Sequence, residues 1–173
     1  MLFEPRVFGD SRGYFFESYN EKQFAEHGIT IRFVQDNQSM SSYGVIRGLH
    51  FQRAPHAQTK LVRVLHGRIL DVAVDLRKNS PTYGKHFSAE LSSENKKQLL
   101  VPKGFAHGFS VLSEKAEVLY KCDAFYNKES ESGIIYNDAS LNIDWNIPAG
   151  KEIISEKDLR QPSFASYQAE IVE

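Results

Sequence analysis

The chain is 173 residues long, 41% hydrophobic and 25% charged, with a formal net charge of −1. That length fits one domain, here 1–173, able to bury roughly 70% of its unfolded surface. Scattered Lys and Arg at near-zero net charge argue against nucleic-acid and membrane partners, and the lone Cys122 excludes internal disulfides and a cysteine-based zinc site.

No apolar run reaches membrane-spanning length, and the opening "MLFEPRVFGD" lacks a basic region followed by an apolar stretch, which points to the cytoplasm. The first predicted element is a short helix at Asn20–His27, with Asn20 as its cap, Gln23 at the capping-box position and Gly28 ending it. Strands are predicted near Arg32–Gln38, Val45–Phe51, Lys60–His66, Arg68–Asp75, Lys85–Leu91, Gln98–Pro102, Gly108–Leu112 and Glu117–Ala124. "LHGRI" joins two of them in a tight hairpin, while "RKNSPTYG", "SSENKK" and "SEK" supply other turns. No repeat or linker-like shift in composition divides the chain. Short strands with regular turn signals predict a mainly β fold, a jelly-roll barrel of antiparallel strands with a few short helices and a small cavity inside.

The stretch "VIRGLHFQRAPHAQTKLVRVLHG" from Val45 to Gly67 places Arg47, His50 and Lys60 in otherwise apolar strands, where such groups are rarely buried without a partner. Strand alternation puts Lys60 on the face of Val62 and Val64, and Tyr120 on the face of Val118 and Cys122. Regular alternation fails at the first strand, because it sends Arg47 and His50 to opposite faces. A bulge at Gly48 would bring both inside.

Arg47, His50, Lys60, His107 and Tyr120 around one cavity suggest two chemistries. The segment "PKGFAHGF" carries Pro-x-Gly-x-x-His, half of the metal-binding cupin pattern, but the His-x-His half reads His50-Phe51-Gln52. The next acid after His50 is Asp71, so three His or carboxylate ligands are not at hand, and Lys60 and Arg47 would repel a cation. No metal and no cofactor are therefore expected. Proton transfer beside a carbonyl suits the set better. An imidazole titrates near neutral pH, an ammonium can stabilise an enolate oxygen, and a phenol across the gap can return a proton to the opposite face. The remaining histidines, His27, His56, His66 and His86, sit in no motif and read as surface or turn residues.

The chain resembles the dTDP-4-dehydrorhamnose 3,5-epimerase family of cupin-fold nucleotide-sugar enzymes. The resemblance runs from about Phe3 to Pro162 and rests on "EPRVFGDSRGYFFESYN", "FVQDNQS", "VIRGLHFQ", "KLVRVLHGRILDVAVDLRKNSPTYG", "LSSENKKQLLVPKGFAHGFSVLSEKAEVLYKC", "YNDASLNIDW" and "ISEKD", in order. It implies inversion of C3 and C5 of dTDP-4-dehydro-6-deoxyglucose on the way to dTDP-L-rhamnose. The C4 ketone acidifies both carbons, so one base can serve both. The resemblance also implies roles: His50 the general base, Asp158 its orienting carboxylate, Tyr120 the general acid and Lys60 the partner of the C4 oxygen. It further implies substrate contacts at Arg12, Glu17, Gln35, Asp36, Asn37, Arg47, Lys60, His107, Tyr126, Glu131 and Lys157, with Tyr126 stacking on the thymine. A homodimer is implied too, in which Arg12 and Glu17 reach the partner's site. The alternatives are epimerisation at a single carbon of a related nucleotide sugar, a metal-dependent cupin oxygenase, and a sugar-nucleotide binding barrel without catalysis.

Overall fold

A computed structural model describes residues 1–170. The expected domain span of 1–173 thus ends three residues outside them. The elements are β1 (Leu2–Phe3), β2 (Phe8–Asp10), β3 (Gly13–Phe15), α1 (Glu21–Glu26), β4 (Gln35–Ser42), β5 (Ile46–Gln52), β6 (Lys60–His66), β7 (Arg68–Asp75) and β8 (His86–Ser92). After them come β9 (Gln98–Val101), β10 (Phe105–Val111), β11 (Lys115–Cys122), a 3-10 turn at Lys128–Ser130, β12 (Glu131–Gly133), α2 (Glu156–Leu159) and α3 (Phe164–Glu170). Two five-stranded sheets, ordered β1-β9-β6-β11-β4 and β12-β5-β10-β7-β8, face each other, and a separate hairpin joins β2 to β3. Strand pairs are antiparallel throughout, as the jelly-roll expectation requires.

Three apolar clusters hold this frame. Val62, Val64, Ile69, Ala73, Leu99, Phe109 and Val118 fill the space between the sheets. The outer face of the second sheet is covered by the C-terminal segment, where Trp145, Phe164 and Tyr167 pack on Ile46, Leu49, Phe51 and Val72. The outer face of the first is capped by Phe3, Tyr19 and Phe24 over Leu61 and Leu100. Strand β7 is buried on both faces, which explains why "ILDVAVD" reads as an apolar run rather than an alternation.

Helix α1 falls where the sequence predicts it, with the Asn20 side chain accepting from the Gln23 backbone N–H at 3.2 Å. The Gln23 side chain donates instead to Glu17, so the reciprocal half of a capping box is replaced. Strand β4 begins three residues later than expected, and β10 begins at Phe105 rather than Gly108. His107 accordingly lies within a strand. The N-terminal hairpin, β12, α2 and α3 are too short to show periodicity and were not expected from it.

The expected irregularity at Gly48 is present. His50 pairs with His107 and Arg47 with Phe109, so three steps along β5 match two along β10. The shift leaves Ile46, Leu49 and Phe51 on the outer face and turns both Arg47 and His50 inward. Only glycine suits the position: its φ is +134°, and a Cβ there would meet the Gly108 Cα at 2.5 Å.

Candidate active site

A cavity of about 490 Å³ opens between the sheets, lined by Arg47 and His50 of β5, Lys60 of β6, His107 of β10, Tyr120 of β11 and Asp158 of α2. A second lobe of about 450 Å³ shares His50, Lys60 and Tyr120 and adds Gln35, Asn37, Tyr126 and Glu131. His50 and Tyr120 stand on different sheets, so they face the same space from opposing walls.

Asp158 is positioned by helix α2, which Ser155 caps by accepting from the Asp158 backbone N–H. Its carboxylate lies 2.6 Å from His50 Nε2. Burial alone would raise the Asp158 carboxyl. The His50 hydrogen bond and charge, with the Gly48 backbone N–H and Ser155, outweigh burial and hold it below its ordinary value. An ionised carboxylate only accepts, so Nε2 bears an N–H, and in the neutral imidazole the lone pair is then on Nδ1. Asp158 therefore both belongs to a capped helical turn and orients an imidazole.

Lys60 Nζ sits 5.8 Å from the centroid of the Tyr120 ring. Burial lowers its pKa, offset in part by Cys122, Asp71 and Glu131, and no carboxylate pairs with it among the described residues. It is thus a partly buried amine at the cavity wall with no paired carboxylate among the described residues. Burial raises the Tyr120 phenol, keeping it protonated. Cys122, next along the inner face, is pushed up to about 11 chiefly by burial, so it stays a neutral thiol. The Arg47 Nε donates to Ser41 Oγ at 3.0 Å, which holds the guanidinium at the cavity wall.

His107 is buried, and its Nε2 lies 2.7 Å from Asp71 Oδ1. The other Asp71 oxygen is buried without a partner among the described residues. This second imidazole–carboxylate pair was not recognised in the sequence, although an acid in the middle of the apolar run of β7 was its visible signal. Gln52 was missed as well: it accepts from the Asn127 backbone N–H at 2.6 Å and donates to the His56 carbonyl at 2.9 Å, anchoring the loop that bears Tyr126.

At the rim, the Tyr126 hydroxyl donates to Glu131 Oε2 at 3.0 Å, and Lys157 Nζ meets Glu131 Oε1 at 2.6 Å. Phe125 is 69% exposed and lines neither lobe, so Tyr126 is the aromatic that faces the site. Three expected contact residues are not brought here. Asp36 lies on the outer face of β4 and pairs with Lys121 at 3.0 Å, because alternation places its neighbours Gln35 and Asn37 inward. Arg12 sits at the tip of the β2–β3 hairpin, tied to Asp10. Glu17 lines a separate cavity of about 430 Å³ beneath the N-terminal segment. Among the described residues no group of three His, Cys, Asp or Glu converges to hold a metal ion.

The arrangement can remove a proton from one face of a carbon and return one to the other, beside an oxygen held by a cation. The dTDP-4-dehydrorhamnose 3,5-epimerase family profile matches residues 1–166. The chain is 54% identical over 162 residues to the dTDP-4-dehydrorhamnose 3,5-epimerase of Escherichia coli, covering 92% of this chain and 86% of that protein. It is 59% identical to the crystal structure of the enzyme of that name from Elizabethkingia anophelis, with a TM-score of 0.91 and coverage of 95% and 91%. A Legionella pneumophila dTDP-6-deoxy-D-glucose-3,5-epimerase in complex with dTDP-4-keto-L-rhamnose is 48% identical, with a TM-score of 0.93 and coverage of 98% and 90%.

Proposed function

Because the chain belongs to the dTDP-4-dehydrorhamnose 3,5-epimerase family, we infer that His50 and Tyr120 are the base and acid with which it inverts C3 and C5 of a dTDP-4-dehydro-6-deoxy sugar. The observation that carries the assignment is the convergence of His50, with its Asp158 carboxylate, and Tyr120 on one cavity from opposing sheets. His50 Nδ1 takes the proton from the carbon next to the C4 ketone, and the bonding pair moves to the carbonyl oxygen. Lys60 stabilises the resulting enolate; one such donor is typically worth about 3 kcal/mol of barrier. The Tyr120 hydroxyl then delivers its proton to the opposite face, which inverts the centre. Both carbons flank the same ketone, so one set of groups serves each in turn. Arg47 suits the diphosphate, since a guanidinium presents paired donors to phosphate oxygens. Tyr126, held by Glu131, offers a flat ring to the thymine at the rim.

Incubation with dTDP-4-dehydro-6-deoxyglucose in heavy water tests this reading. Deuterium is expected at both C3 and C5 of an inverted product by proton NMR. Label at one carbon alone would reduce the enzyme to a single-carbon epimerase, and binding without any label would leave only a sugar-nucleotide receptor.

The same reading includes a homodimer and a cytoplasmic location. Among the described residues no helix is long and apolar enough to cross a membrane. The β2–β3 hairpin leaves Phe8, Tyr14 and Phe15 51%, 62% and 67% exposed, a cost that a second copy would relieve by covering them. Placed against a partner, the hairpin would carry Arg12 and Glu17 toward the partner's cavity, which neither residue reaches in its own chain. Mixing Arg12→Ala subunits with His50→Ala subunits is then expected to restore activity above either parent, since one site of each mixed dimer is intact. Activity equal to the average of the parents would show that each chain supplies its own Arg12.

A further inference from the structure

We propose that Gln52 is a positioning residue for Tyr126: its amide bridges the two peptide groups flanking that residue and so sets affinity for the thymine end of the substrate. The role rests on the reading of Tyr126 as the ring that meets the thymine. Gln52 ends β5 two residues after His50, and strand alternation returns it to the face of the imidazole. It is 8% exposed at the wall of the second lobe. In the metal-binding cupin pattern this is the place of the second histidine of His-x-His; here it carries an amide. A backbone N–H can only donate, so the 2.6 Å contact from Asn127 fixes the oxygen end of that amide. The nitrogen end then supplies its hydrogens to the His56 carbonyl at 2.9 Å and the Phe125 carbonyl at 3.4 Å.

The Phe125 carbonyl belongs to the peptide group before Tyr126, and the Asn127 N–H to the one after it. Peptide groups are planar, so holding both planes fixes the two backbone dihedrals of the residue between them, and with them the direction of its ring. Tyr126 has little else to aim it. It is 53% exposed, and its hydroxyl bond to Glu131 tethers only the far end of the ring. The stems of the loop are held independently of Gln52. The Ala124 carbonyl accepts from Gln58 Nε2 at 2.8 Å, and the Ser130 carbonyl from the Arg53 backbone N–H at 2.8 Å. Loss of the Gln52 amide therefore frees the middle of the loop and leaves its ends in place. Two strand residues, about 7 Å, separate His50 from Gln52, so one strand carries the imidazole and meters its distance from the nucleobase platform.

Gln52→Met and Gln52→Glu test the role beside Tyr126→Ala. The first removes donor and acceptor at similar length; the second keeps the acceptor for Asn127 and loses both donors. A ring against the base makes the same contact before and during proton transfer, so it belongs to binding and not to the barrier. With dTDP-4-dehydro-6-deoxyglucose, each Gln52 variant is expected to raise KM about tenfold while kcat stays within about twofold of the parent's. The Kd of dTDP, measured by calorimetry, should rise by the same factor. Combining Gln52→Met with Tyr126→Ala should weaken dTDP no further than Tyr126→Ala alone, because Gln52 acts through that ring. Native KM and Kd in both Gln52 variants, beside raised values in Tyr126→Ala, would overturn the positioning role alone. Additive losses in the double variant would overturn it in favour of direct contact between Gln52 and the substrate. A fall in kcat at native KM would place the damage at His50 and overturn it too. Native KM and Kd in Tyr126→Ala would remove the nucleobase reading of that ring and the role of Gln52 with it.

Discussion

Replacing His50 with alanine is expected to lower turnover by about 10² to 10⁴, the range for loss of a general base, and to stop deuterium uptake at C3 and C5 alike. Loss at both carbons is the diagnostic part, because one imidazole beside one ketone is asked to serve both. Asp158→Asn is expected to approach the same loss without emptying the cavity. The carboxylate fixes the Nε2–H tautomer across 2.6 Å, whereas a carboxamide can donate to Nε2 and leave the proton on Nδ1, where the lone pair is needed. Asp158 also links activity to stability. Its pKa is lowered in the folded chain, so its contribution is present above the unfolded carboxyl value and is lost as pH falls through the folded one. Asp158→Asn should therefore flatten the acid side of the stability curve while the native fold persists at neutral pH. Chemical denaturation across pH, run beside the rate assay, separates the two effects. Near-native turnover of His50→Ala would remove the imidazole from the role of base, and near-native turnover of Asp158→Asn would remove the carboxylate from the role of orienting it.

The site was legible where one residue type had one plausible use. Lys60 and Tyr120 could be placed inward by counting along β6 and β11, since the stretches Lys60–Val64 and Val118–Cys122 pair in unbroken register. Arg47 and His50 could not, because alternation breaks at Gly48 and only the pairing of β5 with β10 shows where the extra residue goes. Asp36 illustrates the converse. A contiguous Gln-Asp-Asn resembles a substrate-contacting run, yet three successive residues of a strand cannot share a face, and the middle one went to Lys121. Asp71 was hidden for a different reason. Its strand is buried on both sides, so nothing in the local pattern says which face an acid occupies or what meets it there. The N-terminal hairpin escaped because its strands are three residues each, shorter than any period can register.

Lys60→Met is expected to move activity and stability in opposite directions. The substitution keeps length and apolar stem but removes the cation opposite the C4 oxygen, so turnover should fall by about 10² to 10³. Stability should hold or rise, because partial burial disfavours the ammonium in the folded chain and no carboxylate pairs with it among the described residues. The pH dependence carries the same opposition. Burial lowers the folded pKa of Lys60 below its ordinary 10.5, so between the two values the unfolded chain binds more protons and stability from this residue rises with pH. Over that same window the folded ammonium loses its proton and the enolate loses its counter-charge, so the rate should fall. In the native enzyme an alkaline limb is thus expected below the pH at which an exposed lysine titrates, without a matching drop in the denaturation midpoint. In Lys60→Met that limb should vanish and leave a flat, low rate. An alkaline limb unchanged by the substitution would assign it to a group other than Lys60.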